Sequence, residues 1–125
     1  MLVADDNAAN RFLAGKLLEM FGCTHDAVAD GVEAVEAART GVYDLILMDI
    51  KMPVMDGVAA TLAIRALGDN RETLPILALT ANADDRDAVG YLAAGMNGVV
   101  QKPIQPDVLL NAIRRAVGEQ IRQAA

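Results

Sequence analysis

The sequence predicts an α/β domain in which five strands, each followed by a helix, form a parallel sheet with helices on both faces. Three observations carry this reading. Short runs rich in Val, Ile and Leu alternate with amphipathic stretches of helix length. The short runs lack period-two alternation, as strands buried on both faces should. Alanine fills 23 positions, which suits closely packed helices better than a β-sandwich. At 125 residues, 54% of them hydrophobic, the chain is expected to be one globular domain, residues 1–125, without a linker or a second domain. Ten glycines and four prolines are too few for low complexity or disorder.

Residues 1–4 form the first apolar run, and residues 8–20 follow with Phe12, Leu13, Leu17 and Leu18 at helical spacing. A weaker run at 24–29 leads to a helix over 30–40, where Asp30 with Glu33 three residues later resembles a capping box. The third run, 43–48, is followed by the Asp56-Gly57 turn and a helix over 58–67. The polar stretch 68–73 reads as a surface loop before the fourth run at 74–79. Asp84 is the expected N-cap of a helix over 84–94 that stops before Gly95. The fifth run is 98–100, and the last helix starts at Pro106, the favoured first helical position, and passes through Val117.

The formal charge is −6, which repels phosphate backbones and anionic lipid, so nucleic-acid and membrane-surface binding are disfavoured. Four aromatics (Phe12, Phe21, Tyr43, Tyr91) are few for base stacking or a flavin site. A single cysteine, Cys23, fits a reducing compartment and reads as a small buried hydrophobe. No apolar run approaches membrane-spanning length, and the start lacks signal-peptide character, so a cytoplasmic location is expected.

Ligands of open parallel sheets bind beyond the carboxyl ends of the strands. The first run is followed there by Asp5 and Asp6, the third by Asp49, the fourth by Thr80 and the fifth by Gln101-Lys102-Pro103. Singly, each has an ordinary explanation: a solvated turn, a helix cap, β-propensity. Jointly, three carboxylates, a hydroxyl and an ammonium fall at one end of one sheet. Three close carboxylates do not all stay ionised unaided. A divalent cation together with Lys102 balances them. The hard oxygen donors select Mg²⁺, or Mn²⁺, over zinc. Such a site suits phosphoryl transfer, and one carboxylate could itself be the nucleophile.

These residues resemble the response-regulator family, the receiver domains of bacterial two-component signalling. The resemblance runs the length of the chain. It is carried by Val3-Ala4-Asp5-Asp6-Asn7, by Met48-Asp49-Ile50-Lys51-Met52-Pro53-Val54-Met55-Asp56-Gly57, by Leu79-Thr80-Ala81 and by Lys102-Pro103. It implies the flavodoxin-like receiver fold, with sheet order 2-1-3-4-5. It also implies that Asp49 is the phosphoacceptor, that Asp6, Asp49 and the Lys51 carbonyl hold Mg²⁺, and that Asp5 completes the acidic pocket. Thr80 and Lys102 would contact phosphoryl oxygens, and the Lys102-Pro103 bond would be cis. The implied partner is a histidine kinase or histidine phosphotransfer domain, docking near Ala9, Asn10 and Leu13 with Pro103 and Ile104 opposite.

Asn10-Arg11, Leu79-Thr80-Ala81-Asn82-Ala83 and Ala94-Gly95-Met96 are most similar to receivers of hybrid sensor histidine kinases. The chain begins in its first strand and stops after its fifth helix. That is consistent with a receiver taken from the cytoplasmic part of a membrane-bound kinase, and equally with a stand-alone regulator. One departure stands out. Chemotaxis-type receivers usually carry Tyr or Phe three residues before the lysine, and here that position is Val99.

The alternative reading is a Mg²⁺-dependent phosphohydrolase of the aspartyl-phosphate type, although Asp5 and Asp6 are adjacent rather than in an Asp-x-Asp arrangement. A flavodoxin-like electron carrier would need a phosphate loop where Asp5-Asp6 stands. Gly15-Lys16 is no P-loop, since Leu17 follows it. His25, the sole histidine, reads as solvated and distant from the site, and Arg114, Arg115 and Arg122 as a solvated helix face.

Overall fold

A computed structural model describes residues 1–81 and 85–124. Among them five strands alternate with five α-helices: β1 (Leu2–Ala4), α1 (Ala8–Met20), β2 (Asp26–Val28), α2 (Gly31–Thr40), β3 (Ile46–Asp49), α3 (Gly57–Ala66), β4 (Ile76–Thr80), α4 (Asp85–Ala93), β5 (Gly98–Gln101) and α5 (Pro106–Ala124). Neighbouring strands are parallel, in the order β2-β1-β3-β4-β5. This is the doubly wound order that the family resemblance implied.

Strand periodicity divides the core in two. Leu2, Ala4, Ile46, Met48, Ile76 and Ala78 face one layer with Ala34, Ala60 and Ile64 of α2 and α3. Val3, Leu47, Leu77, Leu79 and Val100 face the other, with Leu17, Leu18, Leu109 and Ile113 of α1 and α5. Because both faces are covered, the three central strands read as unbroken apolar runs. Strand β2 is an edge, with Asp26 and Ala27 exposed, which is why its pattern is weak.

Short polar side chains fix the helix starts by accepting orphan backbone N–H groups. Asn7 accepts from Asn10 N–H at 3.1 Å, Asp30 from Glu33 N–H at 2.8 Å and Asp56 from Ala59 N–H at 2.8 Å. The expected cap Asp84 lies outside the described residues. The 68–73 stretch is more ordered than a plain loop, because Asp69–Glu72 forms a 3₁₀ turn. Arg71 ties that turn to α2 by donating to Ala38 O and Arg39 O at 3.0 and 2.8 Å. Arg65, half-buried in α3, donates to the carbonyls of Arg71 and Leu74 at 2.7 Å each, and to Gly95 O at 2.6 Å.

Several expectations need correction. Of the four apolar residues at helical spacing in α1, Leu17 and Leu18 enter the core and Leu13 is exposed, as a docking residue should be, but Phe12 also faces out, with Lys16 Nζ 5.5 Å from its ring. Ala14 and Gly15 complete the buried stripe instead. His25 is half-buried, less solvated than expected. Its ring lies so close over Gly15 that a Cβ there would stand 2.5 Å from Nε2. Ile104 packs into the α1/α5 layer and is only 8% exposed, so it offers a partner little surface. Cys23 is half-buried beside the same layer. Arg114 and Arg115 are exposed as expected, and the Arg122 side chain lies outside the described residues.

Candidate functional site

Because the strands are parallel, their carboxyl ends share one edge, and the segments leaving β1, β3, β4 and β5 meet there. Asp5 follows β1, and its backbone N–H donates to Val28 O at 3.1 Å. Its Oδ1 accepts the Asn7 N–H at 2.9 Å, which turns the chain toward α1, while Arg11 Nη1 donates to the Asp5 carbonyl at 2.7 Å. Asp49 ends β3. The next residues are held by Ile50 N–H to Leu79 O at 3.1 Å and Gly57 N–H to Ile50 O at 2.9 Å, so the start of α3 is pressed against the end of the strand. Thr80 ends β4, and its carbonyl accepts the Lys102 N–H at 2.8 Å. The Lys102-Pro103 bond is cis, as the resemblance implied.

Every site residue expected from the sequence reaches this edge. Asp5, Asp6 and Asp49 each bring a carboxylate oxygen within 4.8 Å of the others. Lys102 Nζ stands 3.1 Å from both Asp5 Oδ2 and Asp49 Oδ1. Asp5 is fully buried, Asp49 is 4% exposed, Thr80 is buried and Asp6 is open to solvent. The Lys51 side chain is exposed, and only its backbone engages the cluster, donating to Asp49 Oδ1 at 3.3 Å. An open cleft of about 400 Å³ is lined by Asp6, Asn7 and Asn10 together with Asp49, Thr80, Ala81 and Lys102.

Burial pushes the Asp49 carboxyl up to about 6, against the pull of the Lys102 ammonium, and neighbouring Asp5 raises it further. Burial also works against the charge of Lys102, but Asp49 and Asp5 outweigh it and hold that ammonium above its ordinary value. The cluster therefore carries more negative charge than Lys102 neutralises. Asp5 Oδ2 is buried with no hydrogen bond to any described residue, leaving it only the ammonium's charge. A buried, underserved oxygen within an oxygen-only donor set fits a hard divalent cation, Mg²⁺ foremost. His25 precedes β2, at the far edge of the sheet, so no nitrogen ligand competes.

Two supporting residues escaped the sequence reading. Arg11 steadies the Asp5 backbone, and its only sequence signal was its place beside Asn10 on the first helix. Gly57 abuts the carboxyl end of β3 so closely that a Cβ would stand 2.3 Å from Asp49 O. Its signal was the Asp56-Gly57 pair, which reads equally well as a simple turn.

The chain belongs to the response regulator receiver domain family of two-component phosphorelay signalling, whose match covers residues 1–114. Sensor protein GacS of Pseudomonas syringae pv. syringae is 41% identical over 127 positions, covering 100% of this chain and 14% of its own length. Transcription factor SKN7 of Saccharomyces cerevisiae is 40% identical over 121 positions, covering 97% of this chain and 19% of its own length. This chain thus spans less than a fifth of either curated relative. Among solved structures, the receiver domain of sensor histidine kinase PA1611 from Pseudomonas aeruginosa PAO1 superposes with a TM-score of 0.86. It shares 41% identity over 94% of this chain and 95% of that one, and carries a magnesium ion coordinated in its active site cleft. No helix among the described residues is long and apolar enough to cross a membrane.

Proposed function

We propose that this domain accepts a phosphoryl group on Asp49 from a phosphohistidine in a histidine kinase or phosphotransfer partner, and later loses it by hydrolysis. The observation that carries this reading is Asp49 itself. It is a nearly buried carboxylate at a strand end, 3.1 Å from a lysine ammonium and clustered with two further acids. In the transfer an Asp49 oxygen forms the new O–P bond as the donor N–P bond breaks, and the bonding pair leaves on the imidazole nitrogen. Lys102 meets one phosphoryl oxygen, and the Thr80 hydroxyl donates to another. Asp6, Asp49 and the Lys51 carbonyl would hold Mg²⁺, with Asp5 completing the acidic pocket. When bound, that cation supplies charge neutralisation for the acids and for a phosphoryl oxygen. The domain acts on itself in this scheme and turns over no separate substrate.

The exposed α1 residues Ala9 and Leu13, with Pro103 and Val108 after β5, form the surface offered to the partner; Val108 takes the place expected for Ile104. The domain would work in the cytoplasm, alone or as the cytoplasmic part of a membrane-bound hybrid kinase. The test is labelling with acetyl phosphate and Mg²⁺. Wild type should gain one acid-labile phosphate, and Asp49→Asn none while remaining folded. Equal labelling of the Asn variant, or steady turnover of phosphomonoesters by the wild type, would overturn the reading.

A further inference from the structure

Asn10 is the one cleft-lining side chain on α1 that is half-buried and given nothing to do inside the fold. It sits in the first turn of α1 and lines the cleft together with Thr80 and Lys102. Its backbone N–H is used by the Asn7 cap at 3.1 Å, but its amide side chain makes no hydrogen bond to any described residue. Asn is a poorer helix residue than the Ala8 and Ala9 before it. No contact inside the fold, among the described residues, uses that amide, so it is open to whatever enters the cleft.

The occupant can be divided by atoms. On the reading of Asp49 as phosphoacceptor, on which this inference rests, the three non-bridging phosphoryl oxygens already have partners in the cation, Lys102 and Thr80. The remaining position is the one in line with Asp49, on the far side of phosphorus. We propose that Asn10 binds the group at that position: the departing atom of the donor during transfer, and the attacking water during hydrolysis.

The two ends of the amide fit the two steps. During transfer the bond from the donor nitrogen, or from the oxygen of an acyl phosphate, to phosphorus breaks, and that atom keeps the electron pair. Asn10 Nδ2–H donates to the pair as it develops. During hydrolysis a water oxygen forms the new O–P bond, the Asp49 carboxylate leaves with its pair, and the water proton passes to the released phosphate. Asn10 Oδ1 accepts a hydrogen bond from the entering water and aims its lone pair at phosphorus. A neutral amide does both without adding to the negative charge of the cleft.

The deciding comparison is Asn10→Ala against wild type, with three readouts. Alanine is the better helix residue, so the variant folds. Losing one hydrogen bond to the reacting group should slow phosphorylation by acetyl phosphate and by phosphoramidate roughly tenfold, and phospho-Asp49 hydrolysis by a similar factor. Beryllofluoride mimics the phosphoryl group but carries nothing beyond it. Its affinity, followed by NMR titration, should therefore stay within about twofold of wild type. Beryllofluoride affinity falling by the same factor as the rates would place the contact on the phosphoryl group and overturn the proposal. So would unchanged rates, or a loss in one step alone. A wild-type domain that takes no label from either donor would overturn the phosphoacceptor reading and this proposal together.

Discussion

The α-carbon of Gly57 rests against the carbonyl of Asp49, so close that a methyl group on it would stand 2.3 Å from that oxygen. The first residue of α3 thereby sets where the end of β3 lies. Gly57→Ala cannot be absorbed by rotating a side chain, because the obstacle is backbone. It should cost about 2 kcal/mol of stability, as overpacking does. It should also slow labelling of Asp49 by tenfold or more, since small misplacements of a reacting group are expensive. Gly90 in α4 is the control, because a Cβ there meets nothing within 4 Å. Gly90→Ala should raise stability by about 0.5–1 kcal/mol. Urea unfolding of both variants checks the pair, and similar effects at the two sites would refute the packing explanation.

The charge imbalance of the cleft predicts how pH and metal act together. In the metal-free domain Asp49 titrates near 6, raised by burial from its ordinary 3.8. A divalent cation takes only the ionised carboxylates, so protons compete with it. Calorimetry should find Mg²⁺ affinity level above about pH 7 and falling by up to tenfold per pH unit below about pH 6. The stability of the metal-free domain follows the opposite sign. A carboxyl whose folded-state pKa is raised contributes stability at low pH that is lost as pH rises through about 6. The metal-free domain therefore loses this contribution on going to neutral pH, and Mg²⁺ restores it. The rise in melting temperature on adding Mg²⁺ should be larger at about pH 7.5 than at about pH 5. Equal rises would mean that Asp49 does not control the site.

Asp5, Asp6, Asp49, Thr80 and Lys102 were legible because each is a polar residue within two positions of the end of an apolar run. Parallel topology then gathers such residues at one edge. The Gly57 approach, the Arg11 bond to Asp5 O and the Arg65 bonds to Gly95 O and Leu74 O left no such trace, because each joins segments with no shared local pattern. Periodicity also could not separate the buried Leu17 and Leu18 from the exposed Phe12 and Leu13, since a docking face and a core face use the same residue types. Ile104 failed in the opposite direction. Between the exposed Pro103 and Gln105 it reads as loop surface, yet it turns inward against the α1/α5 layer.

That correction sharpens the docking test. Leu13 is 40% exposed and Val108 44%, whereas Ile104 is 8%. Leu13→Asp and Val108→Asp should slow transfer from the phosphohistidine partner by about tenfold, through lost apolar contact and added charge. Labelling by acetyl phosphate, which needs no docking surface, is the reference rate. Ile104→Asp buries an unpaired carboxylate and should cost about 3 kcal/mol or more of stability, so its loss of transfer would report unfolding. Transfer rates unaffected by both the Leu13 and Val108 changes would rule this surface out.

Val99 sets the last expectation. It is half-buried on β5 and packs with the layer that includes Tyr91 and Met96, on the side of the sheet that carries α2 and α3. In chemotaxis-type receivers, which this chain resembles, the ring at this position follows the threonine inward when the domain is phosphorylated. Val99 has no ring to move, and its branched side chain is stiff at χ1. The two states of this face therefore differ little in contacts. A phosphoryl group shifts a conformational equilibrium only by the difference in its interaction with the two states. Beryllofluoride should move NMR signals strongly around Asp49 and Thr80 and weakly from Tyr91 to Val99. Such a domain holds or relays phosphate without driving assembly through that face. Large shifts along residues 91–99, or a phosphorylation-dependent dimer built on them, would show that another residue has taken over the role of the ring.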